Sequence, residues 1–407
     1  KQLLMVSGFE RYYQIVKCFR DEDLRPNRQP EFTQLDLEAS FIDEAFIYDL
    51  IEGLIVELFK SQGVTLERPF KQISFDESMD KYGNDHPDLR FGLEMVNVTP
   101  LLSNVGYKIF NTIVNNGGLI KGINLKGQSD KLSKNMLQED LAKKVIPKFG
   151  AKGMSWMKME DGKLNSNIVQ FFNDEEQAAL AKAMNAENGD VLIFIADTSH
   201  ELVNDVLGRF RVYIADRLGL IDHNKFEPCW VVDFPMFEWK DGAPSPLHHP
   251  FTQPSDEVNA LKKDDKAGLL ALKSRAYDIV INGEEVGGGS IRIHDTEMQQ
   301  KIFELLGMNE TEIKEKFGFF VQALKYGTPP HGGIALGLDR LSAMIMKLSS
   351  IREVIAFPKN RVAFCPLTEA PDHVTDQQLN ELHLKAKPSP KKTEESQNSE
   401  QEKVPAQ

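Results

Sequence analysis

Between Glu31 and Phe41 the chain alternates: Gln34, Asp36 and Glu38 fall on one face of an extended strand, and Leu35, Leu37 and Phe41 on the other. A strand with one greasy face and a row of amide and carboxylate groups on the other floors a polar pocket, or else lies as a charged hairpin on a solvated sheet. Upstream, Tyr13 to Phe19 is rich in aromatic and β-branched residues and predicts a partner strand, with Gln14, Cys18 and Arg20 on one face. The polar loop between the two holds Arg20, Arg25 and Arg28, forks suited to phosphate oxygens.

Apolar residues at i, i+3 and i+4 predict a helix over 44–61, followed by a short extended segment and Pro87-Asp88-Leu89-Arg90-Phe91. From 92 to 230 the texture changes. Glycine and lysine cluster, helices such as 131–144 alternate with strands such as 191–196, and 175–186 reads as an amphipathic helix opened by Asn173 or Asp174. No compact acid–base or metal cluster occurs there, which predicts a peripheral domain. Core-like strands resume at Val231. Lys240-Asp241-Gly242 reads as a hairpin turn, strands 276–281 and 287–293 follow, then a helix over 296–306. Finally a glycine-rich strand and turn, Gly332 to Leu341, runs into an apolar helix over 341–348. The strands read as antiparallel with helices packed around them, an α+β chain divided as 1–91, 92–230, 231–384 and a tail, 385–407.

Composition narrows the classes. The 407 residues are 41% hydrophobic and 27% charged, ordinary for a globular protein of two or three domains. No apolar run approaches the roughly 20 residues of a membrane span. Cys18, Cys229 and Cys365 lie far apart without metal-ligand spacing and read as buried free thiols in a reducing cytoplasm. A net charge of −13 argues against gripping nucleic acid by bulk electrostatics, though a local basic track would suffice for an RNA partner. The tail lacks large apolar residues and is predicted disordered. The chain opens at Lys1 without Met, inside a helical-looking phrase, and reads as a fragment whose N-terminal part is missing.

Two blocks carry a family resemblance. Phe19 to Arg25 with Gln29 to Glu38 resembles motif 2 of the class II aminoacyl-tRNA synthetases, and Gly332 to Leu341 resembles their motif 3. Each block alone has a structural reading, with Gly for a turn and Arg340 as a helix-start ion pair. Their occurrence together, in this order, identifies the class. Arg25 to Gln34, His248-His249-Pro250-Phe251-Thr252, Glu285 to Ile293 and Phe357-Pro358-Lys359 together resemble the aspartyl-tRNA synthetases. The likeness covers nearly the whole chain apart from the tail, and the stretch 92–230 resembles the insertion of the bacterial branch.

The resemblance implies an antiparallel class II sheet flanked by helices, with an inserted α+β domain. It implies ATP-dependent ligation of L-aspartate to tRNA(Asp) through an aspartyl-adenylate, in a cytoplasmic homodimer that touches no membrane. Motif 1 and the anticodon-reading barrel would precede Lys1. Arg20 and Arg340 are the implied catalytic residues, at the α-phosphate and at the γ-phosphate end. Asp21, Glu22, Gln29, Phe32, Glu285, Gly337, Leu338 and Asp339 join them at ATP, where Phe32 either stacks on adenine or serves as a core phenylalanine. Asp278 and Glu285 are the implied Mg²⁺ carboxylates, consistent with parity on two strands joined by Asn282-Gly283. Lys1, Arg20, Gln34, Asp36, His248 and Arg292 are implied at aspartate, with Arg292 on its side-chain carboxylate. Gln34 and Asp36 orient that pair or receive the α-amino group, and the His248-His249 pair has a turn as its plain alternative.

Three other readings compete. The enzyme also charges tRNA(Asn). The chain is an asparaginyl- or lysyl-tRNA synthetase, although a lysine enzyme should offer a carboxylate in place of Arg292 and an asparagine enzyme would avoid a buried unpaired arginine. Or it is an inactive fragment or paralogue acting as a binding protein; such relatives usually lose a motif arginine, and Arg20, Arg292 and Arg340 are all present.

Overall fold

The computed structural model describes residues 1–22 and 24–387. The expected disordered tail, from 388 on, lies outside them. Of the described residues, 1–18 and 31–349 form one compact unit; 19–22, 24–30 and 350–387 form a second.

In chain order, the strands of the first unit are β1 (Arg11–Phe19), β2 (Glu31–Ser40), β3 (Lys71–Ser74), β4 (Val96–Asn97), β5 (Leu119–Leu125), β6 (Ser155–Glu160), β7 (Lys163–Asn165) and β8 (Val191–Asp197). Then come β9 (Pro228–Val232), β10 (Phe237–Lys240), β11 (Ala243–Pro246), β12 (Ala276–Ile281), β13 (Glu284–Ile291) and β14 (His331–Gly337). The main sheet has seven strands in the order β1-β2-β14-β13-β12-β9-β3. Neighbours from β2 to β9 are antiparallel, whereas β3 joins β9 in parallel, against the all-antiparallel expectation.

The alternation in β2 works as a strand should. Leu35 and Leu37 stand opposite Leu336 and Ile334 and face a core with Tyr277, Ile279 and Trp230. The helix Glu44–Lys60 covers that face with Ile47, Ile51, Ile55 and Phe59, one residue per turn, and Asp43 caps it by accepting from the Phe46 N–H. Phe41, expected on the greasy face, lies past the strand end at φ 59° and is 72% exposed.

The inserted segment builds its own five-stranded sheet, β4-β5-β8-β6-β7. β8 is a nearly continuous apolar run, and β5 is buried along almost its whole length, because helices cover both faces: 200–217 with 136–149 on one side, 108–115 with 174–183 on the other. The helix expected over 131–144 begins only at Met136. The one expected over 175–186 spans Asp174–Ala183, with Asn173 and Glu176 exchanging hydrogen bonds as a capping box. The expected boundary at 230 falls inside β9, so the core sheet resumes at Pro228. No described helix is long and apolar enough to cross a membrane.

In the second unit the loop after β1 closes on itself. Arg20 N–H donates to Pro30 O at 2.9 Å, and Arg25 and Arg28 pair their backbones across Pro26-Asn27. Pro26 O accepts from Ile351 N–H at 3.1 Å and Ser350 Oγ at 2.8 Å.

Candidate active site

The polar face of the main sheet is assembled by register. Glu38, Asp36 and Gln34 of β2 stand opposite Gly333, Ala335 and Gly337 of β14, and Gly333 and Ala335 stand opposite Ser290 and Gly288 of β13. Residues paired across an antiparallel sheet share a face. The middle strand therefore offers only glycine and alanine there, and side chains from β2 and from β13 with its continuation meet above it. A Cβ on Gly333 would run into Glu38 Oε2 and Leu37 O, so glycine at 333 is what lets the Glu38 carboxylate lie across β14.

What Glu38 reaches is Arg292. Nε and Nη2 donate to its two carboxylate oxygens at 3.0 and 3.3 Å, Nη1 donates to Ser290 Oγ at 2.7 Å, and Nη1 also meets His249 Nε2. Lys1 Nζ lies 3.2 Å from Glu38 and 2.5 Å from Asp36. Glu38 is fully buried and Arg292 is 6% exposed. Burial pushes the Glu38 carboxyl up, but Arg292 and Lys1 outweigh it and hold the group below the ordinary carboxylate range. Burial first, and then Arg292, force His249 down to about 3, so the ring is neutral and can keep a lone pair on the nitrogen facing the guanidinium. Gln34 accepts from Cys18 Sγ at 3.2 Å.

Asp278 and Glu285 meet further along the same face. Asp278 opposes Gly288, and a bulge between Ile279 and Val280 sets Glu285 opposite Val280. Without that extra residue Glu285 would point to the apolar face. A Cβ on Gly288 would meet Asp278 Oδ1 and lie 3.5 Å from Glu285 Oε1, so both carboxylates converge over this glycine. Burial raises the Asp278 carboxyl, against the neighbouring His248. Desolvation, and then Asp278, raise Glu285. Among the described residues no group of three or more His, Cys, Asp or Glu surrounds one metal position. Two buried carboxylates converging over one glycine suit a hard divalent cation that completes its shell with phosphate oxygens and water.

The motif 3 turn sits alongside. Arg340 Nη1 donates to the Glu285 backbone oxygen, and Asp339 Oδ2 accepts from Thr33 N–H at 2.6 Å, fastening the helix Leu338–Ile345 to β2. Phe32 is half-buried on β2.

The first unit thus gathers Lys1, Gln34, Asp36, Asp278, Glu285, Arg292 and the 337–340 turn. Of the histidines, His249 faces Arg292, while His248 lies 3.8 Å from Asp278 and edge-on to Phe234. Arg20, Asp21, Glu22 and Gln29 belong to the second unit. There Glu22 is 3.9 Å from Arg20 and 3.2 Å from Arg28. Gln29 is buried, its amide accepting from Lys359 N–H at 2.7 Å and donating to Lys359 O at 3.0 Å. Glu38, His249 and Gly333 are the residues that motif reading passed over. Strand parity with Gln34 and Asp36 pointed to the first.

Comparison with known proteins adds the family. The family described as tRNA synthetases class II (D, K and N) matches residues 1–361. An aspartate–tRNA(Asp/Asn) ligase 1 of Syntrophus aciditrophicus is 57% identical over 385 residues, 94% of this chain and 53% of that protein. Aspartate–tRNA(Asp/Asn) ligases of Persephonella marina and Aquifex aeolicus are 52% and 50% identical, over 94% and 95% of this chain and 64% and 65% of theirs. The chain therefore spans between about half and two thirds of these relatives. A solved aspartyl tRNA synthetase from Entamoeba histolytica covers 90% of this chain and 51% of its own, at 14% identity and a TM-score of 0.43, a likeness too low to bear on the chemistry.

Gly333→Ala should cost about 1–3 kcal/mol in urea unfolding, the usual range for overpacking, because Glu38 and backbone must both move. An unchanged midpoint would contradict the packing. His249 supplies a pH test. Its folded pKa, about 3, lies below the unfolded 6.5, so the unfolded chain binds the extra proton and stability falls as pH drops from 6.5 toward 3. The slope from one such group is at most about 1.4 kcal/mol per pH unit. His249→Gln, whose amide oxygen can accept from Arg292, should flatten the stability curve between pH 6.5 and 5. His331, also lowered by burial, contributes a slope of the same sign in both proteins. Equal slopes would show that His249 is protonated in the fold.

Proposed function

The chain belongs to the class II tRNA synthetases (D, K and N), and from that premise we propose that the protein activates L-aspartate with ATP and transfers it to tRNA(Asp) through an aspartyl-adenylate. The observation that carries the choice of amino acid is the buried Arg292 fork. Nε and one Nη2 hydrogen are committed to Glu38, and the two Nη1 hydrogens go to Ser290 and His249. The second Nη2 hydrogen, together with the Lys1 ammonium, remains to take a substrate carboxylate. Neutral His249 presents a lone pair to the arginine and adds no competing positive charge. Asp36 orients Lys1, and Gln34 stands two residues further along the same face.

In the first half-reaction the aspartate α-carboxylate attacks the α-phosphorus of ATP, forming the acyl-phosphate bond as the bond to pyrophosphate breaks. No enzymic nucleophile is needed, so the protein positions and stabilises charge. Arg20 meets the α-phosphate, Arg340 the γ-phosphate end and Phe32 the adenine, with Asp21, Glu22, Gln29, Gly337, Leu338 and Asp339 lining the nucleotide; the support is their place in motifs 2 and 3. Asp278 and Glu285 would hold Mg²⁺, which when bound draws negative charge off the phosphates. A cytoplasmic location fits three free cysteines, and a homodimer fits the class. A second reading, that tRNA(Asn) is charged as well, is favoured by the names of the three relatives above.

The full-length protein should exchange pyrophosphate into ATP with L-aspartate and Mg²⁺ in the absence of tRNA, and aminoacylation of purified tRNA(Asp) and tRNA(Asn) separates the two readings. No aspartate-dependent exchange would refute the activity. Arg20→Ala should slow activation far more than it weakens ATP binding, since its charge serves the transition state; a change in ATP affinity alone would remove it from the α-phosphate. Arg292→Leu combined with Glu38→Gln, so that no carboxylate is orphaned, should abolish most preference for aspartate over asparagine. The single buried charge is worth on the order of 3–5 kcal/mol, or roughly one hundred- to several thousand-fold. An unchanged aspartate-to-asparagine ratio would exclude Arg292 from specificity.

A further inference from the structure

Arg211, on the helix His200–Arg217 of the inserted domain, is completely buried. Among the described residues it has no carboxylate within ion-pair distance, and the Asp88 carboxylate is held by Arg90 at 2.6 and 2.9 Å. Instead its guanidinium lies between two rings, 4.9 Å from the centre of Tyr82 and 4.5 Å from that of Phe91. Nη2 donates to Asp88 O at 3.0 Å and to Gly92 O, and Nε donates to Leu93 O at 3.2 Å. Residues 83–93, which carry these carbonyls, contain no regular element. Buried backbone oxygens without a ladder need donors from elsewhere, and one fork supplies three of them. Lys121 of β5 adds a second buried grip just upstream, on Asp80 O and Oδ1 at 2.6 Å each.

The strap so held leads to the carboxylate hairpin. His86 Nδ1 donates to Gly283 O at 2.8 Å, and a Cβ on Gly283 would lie 3.2 Å from Asp88 Cβ. On the other side of the same turn, Asn282 Oδ1 accepts from Glu227 N–H and its Nδ2 donates to Lys225 O, both at 2.9 Å. The chain entering the inserted domain and the chain leaving it therefore both clasp Asn282-Gly283, the turn that joins β12 to β13. Those two strands bear Asp278 and Glu285, whose convergence depends on the bulge four residues or fewer from the turn.

We propose that the inserted domain positions the Asp278–Glu285 pair, with Arg211 as the positioning residue that holds the 83–93 strap against the β12–β13 turn. Cation capture by the pair is then coupled to the fold of a domain that contributes no group to the polar face. The inference rests on reading Asp278 and Glu285 as the metal carboxylates, and its test does not depend on activity.

The test compares the full-length protein with Arg211→Met, which keeps length but removes the donors, and with His86→Phe, which breaks only the contact between strap and turn. Amide hydrogen exchange is followed without metal or nucleotide. In both variants the amides of 282–287 should exchange about tenfold faster or more while β5 and β8 stay protected, a local loss of protection separate from global unfolding. The Mg²⁺ concentration for half-maximal pyrophosphate exchange should rise several-fold, with the rate at saturating Mg²⁺ little changed. Hairpin exchange at the wild-type rate in His86→Phe would overturn the proposal, and that variant decides the matter if Arg211→Met does not fold. Absence of aspartate-dependent exchange in the wild type would refute the activity reading instead, leaving the hairpin measurement to decide the coupling.

Discussion

The ion pair between Arg292 and Glu38 is the constraint around which the polar face is arranged. Two opposite charges removed from water hold together only when geometry is good and the remaining donors are satisfied. Here the fork meets the carboxylate through two donors, Ser290 takes a third, and His249 stays neutral against the fourth contact. Everything that permits this meeting is backbone. Gly333 removes the side chain that would stand between the partners, and the register of β2, β14 and β13 places them on one face. Neither residue could be lost alone without leaving a buried charge.

The second charge problem on the same face has the opposite sign. Asp278 and Glu285 repel each other, and burial raises both. The strand bulge that turns Glu285 inward creates a site of unmet negative charge, where the Arg292 pair is a site of matched charge. One strand, β13 with its continuation, thus carries an acidic end and the basic half of an ion pair, a few residues apart.

Much of this was legible in the order of residues. The alternation of Gln34, Asp36 and Glu38 marks the floor of the pocket because a strand has a fixed period, and the greasy partners Leu35 and Leu37 confirm it by facing the core. The class and the roles assigned to Arg292 and Asp278 followed from motif resemblance. What could not be read depends on pairing between distant segments. Gly333 looked like a turn glycine, and only its register opposite Glu38 shows that it is there to admit a side chain. His248 and His249 are neighbours in a loop, where no periodicity says which one turns toward Arg292. The clasp of Gln29 on Lys359 joins positions 330 residues apart, which no local pattern reveals. The grip of Arg211 on 83–93 was invisible for the same reason.

The most direct measurement is a crystal structure of the full-length protein with a non-reactive aspartyl-adenylate analogue. The account predicts the ligand's side-chain carboxylate on Arg292 Nη2 and Lys1 Nζ, with Glu38 still bonded to Nε and Nη2. A side-chain carboxylate bound away from Arg292, or Arg292 engaged by Glu38 alone, would contradict it.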